Sequence, residues 1–274
     1  DDTHEPAFRQ LERHPARQSK GIQGRVPAFP GAGFVVCLRQ IEMVKMTKPA
    51  CLFGLIPRRH WILCWSAGLL AAGCSPRIND APVEAETYPG IIRLACVGDS
   101  LTGCPDSWPV HIEPMLGQRW EVRNFGLGGA TVLSFGDHPY VRLKLPEVLA
   151  YAPDVVLVLL GTNDSKPRHW YYRKEFEKDY VQLIHTLKAL EPPPRIWVCL
   201  PPPAFPGQWG MDDGRLREMQ PVIRRVARKT RVPLIDLYTP FVGRPERFPD
   251  QVHPDEEASR EIARHIYRAL TGAE

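Results

Sequence analysis

The sequence has no CxxC pair, and no HExxH, paired histidines or acidic cluster suggests a metal. It lacks a GxGxxG loop, and its glycine-rich stretch Gly126-Leu127-Gly128-Gly129 has the wrong spacing for a dinucleotide. There is no internal repeat, which excludes solenoids and propellers. The apolar stretch 61–73 is only 13 residues long, short of the roughly 18–20 that span a bilayer. Basic excess is also missing where it would count. The net charge is +4, but residues 1–45 carry 7 Lys/Arg against 5 Asp/Glu and residues 46–73 carry 3 against none. From Cys74 onward 25 basic residues face 26 acidic ones, which removes the electrostatic case for nucleic acid. Of seven cysteines, Cys96, Cys104 and Cys199 fall in the body of the chain, an odd number that implies no disulfide framework.

What is present is an ordinary soluble composition, 43% hydrophobic and 24% charged over 274 residues, enough for a sizeable core. Its front reads as an address. Arg58 and Arg59 precede the uncharged stretch from Trp61 to Gly73, which ends in Ala71-Ala72-Gly73 just before Cys74. That order of charge, apolar run and small residues resembles the lipobox of bacterial lipoproteins. The resemblance implies export, lipidation at Cys74 and attachment to a membrane on the periplasmic or cell-surface side. Residues 1–45, rich in Pro, Gly, Arg and Gln, are read as a non-native or disordered upstream extension, with translation starting at Met43 or Met46. Residues 46–73 are then the signal segment, 74–89 a flexible linker and 90–274 the folded domain.

Within that domain short apolar runs alternate with longer amphipathic ones. Strands are predicted at Ile91–Val97, Glu121–Asn124, Val155–Leu160, Arg195–Leu200 and Pro233–Leu237. The third is apolar at every position, the mark of a parallel strand covered on both faces. Helices are predicted at Trp108–Gln118, Tyr140–Tyr151, Arg173–Leu190, Arg215–Thr230 and Asp255–Leu270, with Pro146 and Pro221 expected to kink or shorten two of them. The alternation predicts a single α/β domain, a three-layer sandwich around a five-stranded parallel sheet. Chemistry in such sheets collects beyond the C-terminal strand ends.

Four short motifs stand at or near those ends: Gly98-Asp99-Ser100-Leu101-Thr102, the block Asn124–Thr131 (NFGLGGAT), Gly161-Thr162-Asn163-Asp164, and Asp250-Gln251-Val252-His253. Taken together and in this order, they resemble the SGNH hydrolases, the GDSL-type esterase superfamily, over about residues 91–270. The resemblance implies the flavodoxin-like fold of that superfamily and acyl transfer without a cofactor.

The residue types suit that chemistry. A hydroxyl needs a base to become a nucleophile, and His253 can take the proton of Ser100. Asp250, three residues before His253, can hold the imidazole in one tautomer. The resemblance assigns the oxyanion hole to the backbone N–H groups of Ser100 and Gly129 and to the side-chain amide of Asn163. Gly128 and Ala130 depart from the family pattern, where Ser and Asp are frequent. Asp99 and Asp164 are read as turn and loop organisers.

Segments 133–140, 165–172 and 201–211 are expected to rim the pocket, with His138, Trp170 and Trp209 as candidate substrate contacts. Aromatic faces interspersed with polar groups suit sugar rings. The wording GTNDSKPRHW and LPPPAFPGQWGM further resembles sialate or carbohydrate O-acetylesterases. The expectation is therefore a serine esterase that removes short acyl groups from a carbohydrate. The rivals are a lipid or thioester acylhydrolase using the same site, and a catalytically inactive carbohydrate-binding lipoprotein.

Overall fold

The computed structural model describes residues 81–207 and 209–273. The upstream extension, the signal segment and Cys74 lie outside the described residues.

The chain runs through β1 (Ile92–Gly98), α1 (Ser100–Gly103), α2 (Trp108–Leu116), β2 (Trp120–Gly126), β3 (Ala130–Thr131), β4 (His138–Pro139), α3 (Tyr140–Leu143) and α4 (Leu145–Tyr151). It continues with β5 (Val155–Leu159), α5 (Pro167–Trp170), α6 (Arg173–Lys188), β6 (Arg195–Leu200), α7 (Asp213–Thr230), β7 (Leu234–Asp236) and α8 (Glu256–Thr271).

Five strands form one sheet in the order β2-β1-β5-β6-β7. Every pairing is parallel, with Gly98 opposite Gly126 on one side and Leu159 on the other. This is the doubly wound α/β sandwich expected from the sequence. Because crossovers between parallel strands are right-handed, connections running from β1 to β2 and from β5 toward β7 cover opposite faces. Accordingly α2 packs on α8, and α6 on α7. All five residues of β5 are fully buried, which explains its unbroken apolar run. On α6 the buried residues Phe176, Tyr180, Leu183, Ile184 and Leu187 form one stripe, each contributing about 2 kcal/mol by burial. Side-chain caps start the last two helices: Asp212 accepts from Arg215 N–H, and Asp255 from Ala258 N–H.

Three details differ from expectation. The predicted helix 140–151 is broken at Lys144, and Pro146 sits in the first turn of α4, where its missing N–H costs nothing. Helix α7 runs through Pro221 without being shortened. The end of the predicted linker is docked on the body. Val83 is buried and its N–H donates to the Leu270 carbonyl at 2.6 Å, while Arg195 donates to the Pro82 carbonyl at 2.8 Å. Burial of an apolar side chain plus backbone bonding holds the segment down. Among the described residues, no helix is long and apolar enough to cross a membrane.

Candidate active site

The order of strands reverses between β1 and β5, which opens a crevice at their C-terminal ends. Ser100 stands there as the first residue of α1, immediately after β1. Asp99 shapes the turn: its side chain accepts from the Leu101 N–H at 3.0 Å and caps the short helix. Asn124 on β2 braces the same turn, donating to the Thr102 carbonyl at 2.6 Å and accepting from the Gly126 N–H at 2.8 Å. The sequence marked Asn124 only as the start of a motif; its bracing role was not legible there.

His253 reaches Ser100 from the far end of the chain. Its Nε2 lies 2.8 Å from the Ser100 Oγ, and its Nδ1 lies 2.6 Å from Asp250 Oδ2. The other carboxylate oxygen, Oδ1, accepts from the backbone N–H groups of His253 at 2.7 Å and Val252 at 3.1 Å. Burial pushes the Asp250 carboxyl up, but the His253 ring and these N–H groups outweigh it and hold it down at about 2. A carboxylate fixed in this way keeps the Nδ1–H tautomer and leaves Nε2 to accept the serine proton.

Three N–H donors lie at the ends of the adjacent strands β2, β1 and β5. Among the described residues, the backbone N–H groups of Ser100 and Gly129 donate to no protein acceptor. The buried amide nitrogen of Asn163 is likewise without a partner. Gly129 has φ +76, a left-handed conformation that favours glycine. Asp164, fully buried, accepts from the N–H groups of Val132 and Leu133, both at 3.0 Å, and so fixes the loop that follows Gly129. A nucleophile, a base with its orienting acid, and unpaired donors beside them are the parts that acyl transfer requires.

The sequence profile of the GDSL-like Lipase/Acylhydrolase family matches residues 96–260. The chain belongs to this family. An acetylxylan esterase of Xylanibacter ruminicola is 32% identical over 206 residues, which cover 65% of this chain. The match takes in 43% of that relative, so the chain spans less than half of its length. A carbohydrate acetylesterase family member from Sinorhizobium meliloti superposes with a TM-score of 0.55 at 25% identity, covering 67% of this chain and all of that one. The inhibitor-bound aryl esterase of M. smegmatis superposes with a TM-score of 0.54 at 23% identity, covering 65% of this chain and 99% of that one.

Each predicted rim segment brings one residue to the site. His138 lies against Gly129, so close that a Cβ on the glycine would stand 2.9 Å from its Nδ1. His169 Nδ1 is 2.8 Å from the Asn163 carbonyl. Trp209 donates from Nε1 to Asp250 Oδ2 at 3.0 Å. Trp170, expected at the substrate, is instead buried. Its indole N–H donates to Glu218 at 2.8 Å and its ring packs edge-on to Phe176, because an amphipathic ring next to a long helix gains more from the core.

A hollow of about 450 Å³ opens beside Ser100 and His253 on a side the sequence did not indicate. Its walls come from residues 104–107 and the start of α8, with Cys104, Asp106, Ser107, Glu256 and Ser259 among them. Burial, with the Asp250 and Asp99 carboxylates, pushes the Cys104 thiol up. Among the described residues, no group of three or more His, Cys, Asp or Glu is placed to hold a metal ion.

Proposed function

We propose that the protein is a serine esterase that removes acetyl or another short acyl group from a carbohydrate. The observation that carries this reading is the continuous chain Ser100 Oγ to His253 Nε2 at 2.8 Å and His253 Nδ1 to Asp250 at 2.6 Å.

In the first half-reaction His253 takes the Ser100 proton as Oγ attacks the ester carbonyl. The developing oxyanion is met by the N–H groups of Ser100, Gly129 and Asn163, which need no reorganisation because none of the described residues engages them. Collapse of the tetrahedral intermediate breaks the bond to the alcohol, and His253 returns the proton to the departing hydroxyl. Water then gives its proton to His253 and attacks the acyl-Ser100; collapse of this second tetrahedral intermediate breaks the bond to Oγ, His253 returns the proton to Ser100, and the free acid leaves.

Family membership supports ester chemistry. Support for a carbohydrate comes from the acetylxylan esterase relative and from the hydroxyls and carboxylates that wall the hollow beside Ser100. The test is acetate release from acetylated xylan and other acetylated glycans by wild type and Ser100→Ala in parallel. We expect release by the wild type only, with turnover of p-nitrophenyl acetate reduced roughly 10³-fold or more in the variant. Equal release by both would remove Ser100 from the reaction. Preference for long acyl chains over acetyl would replace the carbohydrate reading with a lipid one.

A further inference from the structure

Asp250 receives four hydrogen bonds, and one comes from outside its own turn. Oδ1 takes the backbone N–H groups of Val252 and His253, while Oδ2 takes His253 Nδ1–H and the indole N–H of Trp209. Four donors match the acceptor capacity of an ionised carboxylate, so its plane is fixed by both oxygens. The Trp209 ring also stands at 86° to the His253 imidazole with centroids 5.9 Å apart.

The segment that delivers Trp209 is tied to the same turn. Phe205 N–H donates to the Gln251 carbonyl at 2.8 Å, and the Phe205 ring packs 5.4 Å from that of the fully buried Phe248. Gly207 lies directly on Gln251, where a Cβ would meet the Gln251 Cβ at 2.9 Å. A half-exposed tryptophan at the mouth of an esterase would ordinarily be read as a platform for substrate. Here its one polar handle is already engaged by the acid of the triad.

We propose that Trp209 is a positioning residue for ester hydrolysis: through Asp250 it fixes the orientation of the His253 imidazole toward Ser100. The proposal rests on the serine-esterase reading above. Loss of the indole N–H leaves Oδ2 with a single donor, frees the carboxylate to turn, and lets the imidazole spend less time aligned with Oγ. Such a loss falls on turnover and not on substrate affinity.

The test uses the full chain with p-nitrophenyl acetate. Trp209→Phe is expected to lower kcat about 10-fold with KM within about 2-fold of wild type. In an Asp250→Ala background the same substitution is expected to change kcat less than about 2-fold, because the residue through which it acts is gone. The far-downfield proton resonance of His253 Nδ1–H should move in Trp209→Phe. Should the phenylalanine variant misfold, β-(3-benzothienyl)alanine at position 209 keeps the two-ring shape, replaces N–H by sulfur and is expected to show the same kcat loss. A raised KM with unchanged kcat, an equal loss in both backgrounds, or wild-type kinetics would overturn the proposal. Ser100→Ala separates the two readings. If it is inactive while Trp209→Phe is normal, only the positioning role fails; if it is active, the serine mechanism itself fails.

Discussion

The backbone carbonyl of Asn163 lies 2.8 Å from Nδ1 of the buried His169. The contact ties the loop that presents the Asn163 amide to a second layer of charge. His169 Nε2 lies 3.3 Å from Asp137, which also pairs with Arg168. Burial pushes Asp137 up, but His169, Arg168 and Lys166 together outweigh it and hold its carboxyl below the usual range. Removing the imidazole while keeping the ring volume, as in His169→Phe, leaves the Asn163 carbonyl without its donor. We expect kcat for p-nitrophenyl acetate to fall about 10-fold, and stability in urea to fall by about 1–3 kcal/mol. Turnover within a factor of two of wild type would show that the Asn163 loop holds its shape without His169.

A second expectation concerns the backbone beneath the nucleophile. Helix α1 and the end of β2 approach so closely that a Cβ on Gly126 would stand 2.2 Å from the Gly103 nitrogen and 2.4 Å from its Cα. Both are backbone atoms, so no rotamer change can relieve the overlap. Gly126→Ala should therefore push α1 away from the sheet, costing about 3 kcal/mol or more in stability and moving Ser100 off His253. Urea denaturation and p-nitrophenyl acetate turnover measure the two effects. An alanine variant of normal stability and activity would mean that the α1–β2 contact opens freely.

Much of this frame was legible in the sequence because its determinants are local. The unbroken apolar run of β5 and the helical spacing from Phe176 to Leu187 mark their elements from local pattern. The motifs around Ser100, Asn163 and His253 stand where a parallel sheet places its strand ends and late loops. The differences at Trp170 and Val83 involve long-range partners. Trp170 and Trp209 give the same signal in the sequence, an aromatic ring in a loop, yet one is drawn into the core by Glu218 and the other reaches the acid of the triad, 41 residues away. Strands β3 and β4, two residues each, are too short to show alternation. The docking of Val83 depends on the Leu270 carbonyl at the end of α8, which is brought to it only once the chain has folded.

Cys74 carries a third expectation, which concerns location. We propose that it bears a lipid, on the strength of the Arg58-Arg59 pair, the apolar run and Ala71-Ala72-Gly73 that precede it. Expression in a Gram-negative host fed labelled palmitate should give a labelled membrane-associated protein, and Cys74→Ser should give none. Equal labelling of both would place the lipid elsewhere, and an unlabelled wild type would remove the anchor from the account.

The last expectation follows from the buried carboxyl of Asp99. It is wholly enclosed beneath the nucleophile, and burial raises it to about 6, against the downward pull of the Leu101 N–H and of His253. Its ordinary value is 3.8, so between about pH 4 and pH 6 the folded protein binds more protons at this group than the unfolded chain does. Stability contributed by Asp99 is therefore full below about pH 4 and is lost as the pH rises through about 6, by about 3 kcal/mol in total. Asp250 works in the opposite sense, but its contribution is lost only as the pH falls from 3.8 toward about 2, outside that window. Asp99→Asn keeps the acceptor for Leu101 N–H and places an uncharged amide on the Thr162 side of the group. Its Tm should exceed that of wild type above pH 6, and the advantage should shrink to nothing or reverse near pH 4. A difference in Tm that is flat across this range would show that Asp99 titrates in the folded protein as it does in the open chain.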